Sequence, residues 1–176
     1  MGGLEMKLPN AFCASLYLLL LAIPVLFAGD NLSSLMKQIL DQRNDDFASL
    51  RKDPHGSGDD TAYASTVILP GAMQCYIAQT AKPHYSNECD VLETKNRTTL
   101  TAKYTQFVKA LREASPASWT AWTDHPGKSM GESTYFGADR SHPAAAVHWV
   151  LEGMNLDWYD LSVTFYGDGY TLPPSK

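Results

Sequence analysis

The sequence predicts a two-layer α+β domain. An antiparallel sheet of about five to six strands carries two amphipathic helices on one face, in the order α-β-β-β-α-β-β-β. Three observations predict this. Cys75 and Cys89 fall at facing positions of a hairpin pattern. A stripe of helical period follows the hairpin directly. Two runs of apolar alternation then close the chain.

The hairpin is the organising stretch. Met73, Cys75 and Ile77 alternate with Gln74, Tyr76 and Ala78. Tyr85, Asn87, Cys89 and Val91 alternate in the same phase, so the strands run Met73 to Gln79 and Tyr85 to Leu92. Setting Cys75 opposite Cys89 puts Met73 against Val91, Ile77 against Asn87 and Gln79 against Tyr85. The residues Thr80 to His84 remain as the connecting loop. Two cysteines opposed in a non-hydrogen-bonded pair lie close enough to bridge. A ring this short constrains the unfolded chain by about 3 kcal/mol on the entropic account.

The helix after the hairpin follows from Leu100, Tyr104, Phe107, Val108 and Leu111, which form one stripe. Thr94 or Asn96 caps its start. Ser115-Pro116 ends it, because a residue before proline avoids the helical region. Such a helix most simply folds back over the apolar face of the hairpin.

At the start of the chain, residues 1–28 have the pattern of a secretory signal peptide. Lys7 precedes an apolar run from Phe12 to Phe27, and Leu26-Phe27-Ala28 makes an imperfect cleavage site. The mature domain is then 29–172, with a frayed tail at 173–176, and its place is periplasmic or extracellular. An uncleaved segment would instead anchor the same domain to the membrane, as a structural envelope protein. Cleavage removes Cys13 and leaves two cysteines, an even number suited to an oxidising compartment. It removes Lys7 and Glu5 together, so the net charge of −5 is unchanged. That acidity argues against a nucleic-acid binder that tracks phosphates.

Leu32, Leu35, Met36, Ile39, Leu40, Phe47 and Leu50 predict a first helix from Leu32 to Lys52. Residues 53–62, rich in Gly and Asp, read as an exposed loop whose spacing does not match a calcium-binding loop. Tyr63 to Leu69 reads as a strand closed by Pro70-Gly71. Trp119 to Thr123 reads as a short strand of ambiguous phase. The segment 124–142 holds Pro126, Gly127, Gly131 and Gly137 and reads as a loop, with a short strand at Ser133 to Phe136. Ala145 to Leu151 and Tyr159 to Phe165 alternate as a closing hairpin joined by Gly153 to Asp157.

The element order resembles that of the small chaperones of bacterial type III secretion. The likeness is one of order and implies a layered sheet-and-helix fold; it implies no activity.

No catalytic, cofactor or nucleic-acid motif stands out. The best catalytic candidates are Asp139, Ser141 and His142, an orienter, nucleophile and base if they converge. No nucleophile-elbow pattern surrounds Ser141. His142 and His148, with His125 or Asp139, lack zinc-site spacing, so no metal and no cofactor are expected. Trp149, Tyr159 and Phe165 share phase with aliphatic residues and read as core. Trp122, His148, Trp158 and Tyr166 fall on the other face and read as a ligand or partner surface. Asn31-Leu32-Ser33 and Asn96-Arg97-Thr98 match the glycosylation sequon, which matters only in a eukaryotic secretory pathway. The reading is an exported, non-enzymatic module that binds an unknown protein or small molecule through the free sheet face and the 124–142 loop. The alternative is a small secreted hydrolase using His142 with Asp139 or Ser141.

Overall fold

The computed structural model describes residues 27–55, 62–81, 84–125, 130–152 and 157–172. In chain order, helix α1 is Phe27–Leu40, and short 3-10 turns follow at Arg43–Asp45 and Ala48–Leu50. Strands β1 (Arg51–His55), β2 (Ala62–Ser65), β3 (Gln74–Ala81) and β4 (His84–Thr94) precede helix α2 (Arg97–Ala114). Strands β5 (Thr120–Asp124), β6 (Gly131–Gly137), β7 (Pro143–Glu152) and β8 (Trp158–Tyr166) complete the chain.

All neighbouring strands pair antiparallel, in the order β1-β2-β3-β4-β8-β7-β6-β5. Helix α2 leaves the middle of the sheet at β4 and carries the chain to the far edge at β5. The last four strands then return, so β8 closes against β4.

The cysteine register is as predicted. Cys75 faces Cys89, Ile77 faces Asn87 and Gln79 faces Tyr85. The two cysteines form a disulfide with their Cα atoms 4.0 Å apart. Met73 lies outside the ladder and is exposed; its N–H donates to the Asp90 carbonyl. The strands run further than predicted, to Ala81 and His84, so the connection shortens to 82–83, outside the described residues.

Helix α2 also follows the sequence. The Asn96 side chain accepts from the N–H groups of Thr98 and Thr99, satisfying two of the orphan donors of the first turn. Its buried stripe is Leu100, Phe107, Ala110, Leu111 and Ala114. The helix lies over β4, β6, β7 and β8, and α1 packs beside it. Leu32, Met36 and Ile39 of α1 join that core, with Ile77, Val147, Leu161, Val163 and Phe165 below.

Four expectations need correction. The strand expected from Tyr63 to Leu69 is β2, which ends at Ser65. The first helix ends at Leu40 rather than Lys52. Asp46 and Phe47 take left-handed backbone angles, φ 52° and 61°, which no helix accommodates. The irregular turns still bury Phe47 and Leu50, so the apolar spacing reflects burial and not helical period.

The sheet has eight strands rather than five to six. Strand β1 occupies part of the predicted 53–62 loop. Its Arg-Lys-Asp-Pro-His sequence shows no alternation, and Pro54 is tolerated because β1 is an edge.

Within the predicted 124–142 loop, the short strand expected at Ser133 to Phe136 is present but extends over Gly131–Gly137 as β6, an inner strand between β5 and β7. Its flanking glycines are adaptations to close backbone approach. A Cβ on Gly131 would lie 2.6 Å from the Trp149 carbonyl oxygen, and one on Gly137 2.6 Å from that of His142. The segment up to residue 26, read from sequence as most of a signal peptide, lies outside the described residues, as do most of the β7–β8 connection and the 173–176 tail. Among the described residues, no helix is long and apolar enough to cross a membrane.

Candidate functional site

Strand alternation divides the sheet cleanly, because side chains on one strand point to opposite faces in turn. Cys89, Val163, Val147 and Thr134 stand in one row beneath α2. The opposite face carries the row Tyr76, Glu88, Thr164, Ala146, Tyr135 and Trp122. Beside it run Asp90, Ser162, His148, Ser133 and Asp124. Both helices lie on the other side.

His148 is the centre of a hydrogen-bonded cluster on this face. Its Nδ1 is 3.2 Å from the Ser133 hydroxyl, and its Nε2 is 3.1 Å from that of Thr164 and 3.5 Å from that of Tyr166. The Tyr135 ring meets the imidazole edge-on at 5.9 Å. Burial lowers the His148 pKa from 6.5 to about 4, so the ring is neutral at physiological pH. Neutral imidazole offers one donor and one acceptor, which suits three hydroxyls that can each play either role.

A pH dependence follows. The folded pKa of His148 lies below its unfolded value, so its contribution is present above pH 6.5 and is lost as pH falls towards 4. After discount for residual exposure, that loss is on the order of 1–3 kcal/mol. In denaturant titrations at several pH values, His148→Gln is expected to remove this part of the acid slope. An unchanged slope would show that the ring protonates freely in the folded protein.

Trp122 and Tyr166 are on this face, but each is covered by a second ring. Trp122 stacks on Tyr135 at 5.6 Å, and Tyr166 stacks on Tyr170 at 4.3 Å. Trp158 is different, with 45% of its surface exposed. It borders a cavity of about 310 Å³ lined by Glu93, Glu152, Trp158, Tyr159 and Asp160. The Lys95 ammonium sits 4.8 Å from the Trp158 ring centroid and 2.6 Å from Asp157.

The electrostatics of the sheet are one-sided. Strands β3 to β8 contain no lysine or arginine. Glu88, Asp90, Glu93, Asp124, Glu152 and Asp160 all fall in the open-face phase. Burial, then repulsion from Asp90, Glu152 and Glu93, raises the Asp160 pKa. Burial raises that of Glu88 too, against a hydrogen bond from Tyr76.

The predicted catalytic residues lie elsewhere, in the exposed turn before β7. The Asp139 Oδ1 accepts from the backbone N–H groups of Ser141 and His142. The His142 Nδ1 lies 3.0 Å from the same oxygen. The hydrogen bond from His142, then that from the Ser141 amide, lowers the Asp139 pKa. Asp139 and His142 thus meet, while Ser141 joins them through its backbone N–H. His125 is apart, beside Glu132 at 3.5 Å. Among the described residues, no group of three or more His, Cys, Asp or Glu is arranged to hold a metal ion.

The sequence singled out none of Tyr135, Ser133, Tyr170 and Glu88, and it placed Thr164 and Asp160 on this face only as the polar half of the β8 alternation. The alternation of Ser133 and Tyr135 was the available signal, obscured by the glycines around them. The chain matches no protein-family model, and no curated protein or solved structure matches it.

Proposed function

We propose that this chain is an exported, non-enzymatic binding module whose working surface is the sheet face opposite the helices. One observation carries the reading. The helices cover a single face, and the face they leave presents the exposed Trp158 with the half-buried Tyr135 and His148, in one phase with the buried Trp122 and Tyr166. Aromatic side chains bring large contact area at small entropic cost, and they concentrate at binding surfaces. The exposed turn at 138–142 adds a polar rim. Export rests on the apolar N-terminal stretch and agrees with the Cys75–Cys89 bond.

A ligand-observed NMR screen of small molecules and peptides against the purified protein tests this. Binders are expected to lose about tenfold in affinity with Trp158→Ala or Tyr135→Ala. Binders whose affinity survives both changes and falls on substitution of exposed α2 residues would refute it.

The hydrolase reading retains one supporting feature, the 3.0 Å contact between His142 and Asp139. Ester or peptide hydrolysis abolished by His142→Ala would put that reading first.

A further inference from the structure

We infer that the open face binds a cationic group, an alkylammonium or guanidinium, seated in the cavity between Trp158 and the carboxylates of Glu93, Glu152 and Asp160. This deepens the binding-module reading and rests on it.

Four features converge here. The first is the cavity itself, about 310 Å³, with an exposed indole on its wall. That volume admits the head of a lysine or arginine side chain, or a small free amine.

The second is the behaviour of the indole. Trp158 already draws one ammonium of its own chain, that of Lys95, to 4.8 Å from its ring centroid. Lys95 is not among the residues that line the cavity. Attraction of a cation to an indole is strongest where water is excluded.

The third is an unmet acceptor. The Asp160 Oδ1 is buried and has no hydrogen-bond partner among the described residues. A buried carboxylate oxygen without a donor is costly, and an incoming N–H would satisfy it.

The fourth is the charge of the whole face. Its strands bring carboxylates together across β4, β8 and β7 and supply no lysine or arginine against them. The basic residues of the described chain stand instead in the helices, the connecting segments and β1, as with Lys37, Arg43, Arg51, Lys95 and Arg112. Glu93 and Asp160 are direct cross-strand partners, and like charges so placed repel. A cation between them turns that repulsion into attraction.

The cation has two sources, a free amine or a basic side chain on a peptide. The test titrates the full chain with propylammonium, with methylguanidinium and with a lysine-rich peptide, following the Trp158 indole N–H by NMR. All are expected to shift that resonance, with affinity falling as salt rises. Asp160→Asn, read on the same resonance, and Trp158→Ala, read by titration calorimetry, are each expected to weaken binding by about tenfold. The same peptide with acetylated lysines is expected not to bind. A peptide far tighter than the amines assigns the site to a protein partner, and equal affinities assign it to a free amine. Asp160→Asn relieves a repulsion, so it is expected to fold at least as well as the parent; circular dichroism checks this.

Two results overturn the inference: cationic probes that leave Trp158 unmoved, or affinity unaltered by Asp160→Asn. If a neutral ligand still shifts Trp122 or Tyr135 in that case, the binding face stands and its cationic ligand does not.

Discussion

Phe107→Ala is expected to cost about 3–5 kcal/mol, measured by urea unfolding. Phe107 is 0% exposed, at the middle of the α2 stripe. It belongs to the single core cluster that joins α1, α2 and the sheet. Truncating a ring there removes its transfer energy and leaves a cavity that packed strands cannot collapse around. A loss of that size is a large share of the 5–15 kcal/mol typical of a domain. The melting temperature should fall by on the order of 10 °C. Thr105, exposed on the same helix, is the control, and Thr105→Ala is expected to change stability by less than about 0.5 kcal/mol. Equal effects at the two positions would mean that α2 does not lie on the sheet by this stripe.

Removing the Cys75–Cys89 bond is expected to cost about 3 kcal/mol, the closure entropy of a ring of this length. Both sulfurs lie in buried residues, Cys89 at 0% exposure. Thus Cys75→Ala with Cys89→Ala removes a cross-link without adding bulk or charge. The unmodified protein in excess reductant is expected to fall to nearly the same stability. Its effect should also be local before it is global. The bond ties β3 to β4, and the edge pair β1–β2 hangs on β3. Amides of β1 to β3 are expected to exchange faster after reduction, with β7 and β8 least affected. No stability difference between oxidised and reduced protein would show that the cross-link does not hold the hairpin.

Local features of this fold were legible in the sequence, and features set by distant pairing were not. The hairpin register followed from two cysteines and period-2 alternation. The α2 limits followed from Asn96 and from Ser115-Pro116. The phase of β8 followed from Leu161, Val163 and Phe165 alone. Strand β1 escaped because an edge strand needs no apolar alternation, and Pro54 argues against pairing on both sides. Strand β6 was legible only at Ser133 to Phe136, because Gly131 and Gly137 read as loop residues, while their neighbours' backbones require them. The break after Leu40 escaped because Phe47 and Leu50 match a helical spacing by chance.

The candidate site was half legible for the same reason. His148, Trp158 and Tyr166 follow from phase within single strands, whereas the short run Trp119 to Thr123 leaves the phase of Trp122 open. Their grouping with Tyr135, Thr164 and Asp160 depends on β8 lying between β4 and β7, which no local pattern encodes.

The division of the sheet into a covered and a working face is the claim on which function rests. Hydroxyl-radical footprinting of the aromatic side chains, with and without a saturating binder from the screen, tests it most directly. Phe107, Phe136 and Phe165, all at 0–1% exposure, are expected to stay unlabelled in both states. Trp158 is expected to label readily when free and to become protected when bound. Protection that appears on α1 or α2 while Trp158 labels equally in both states would contradict the account.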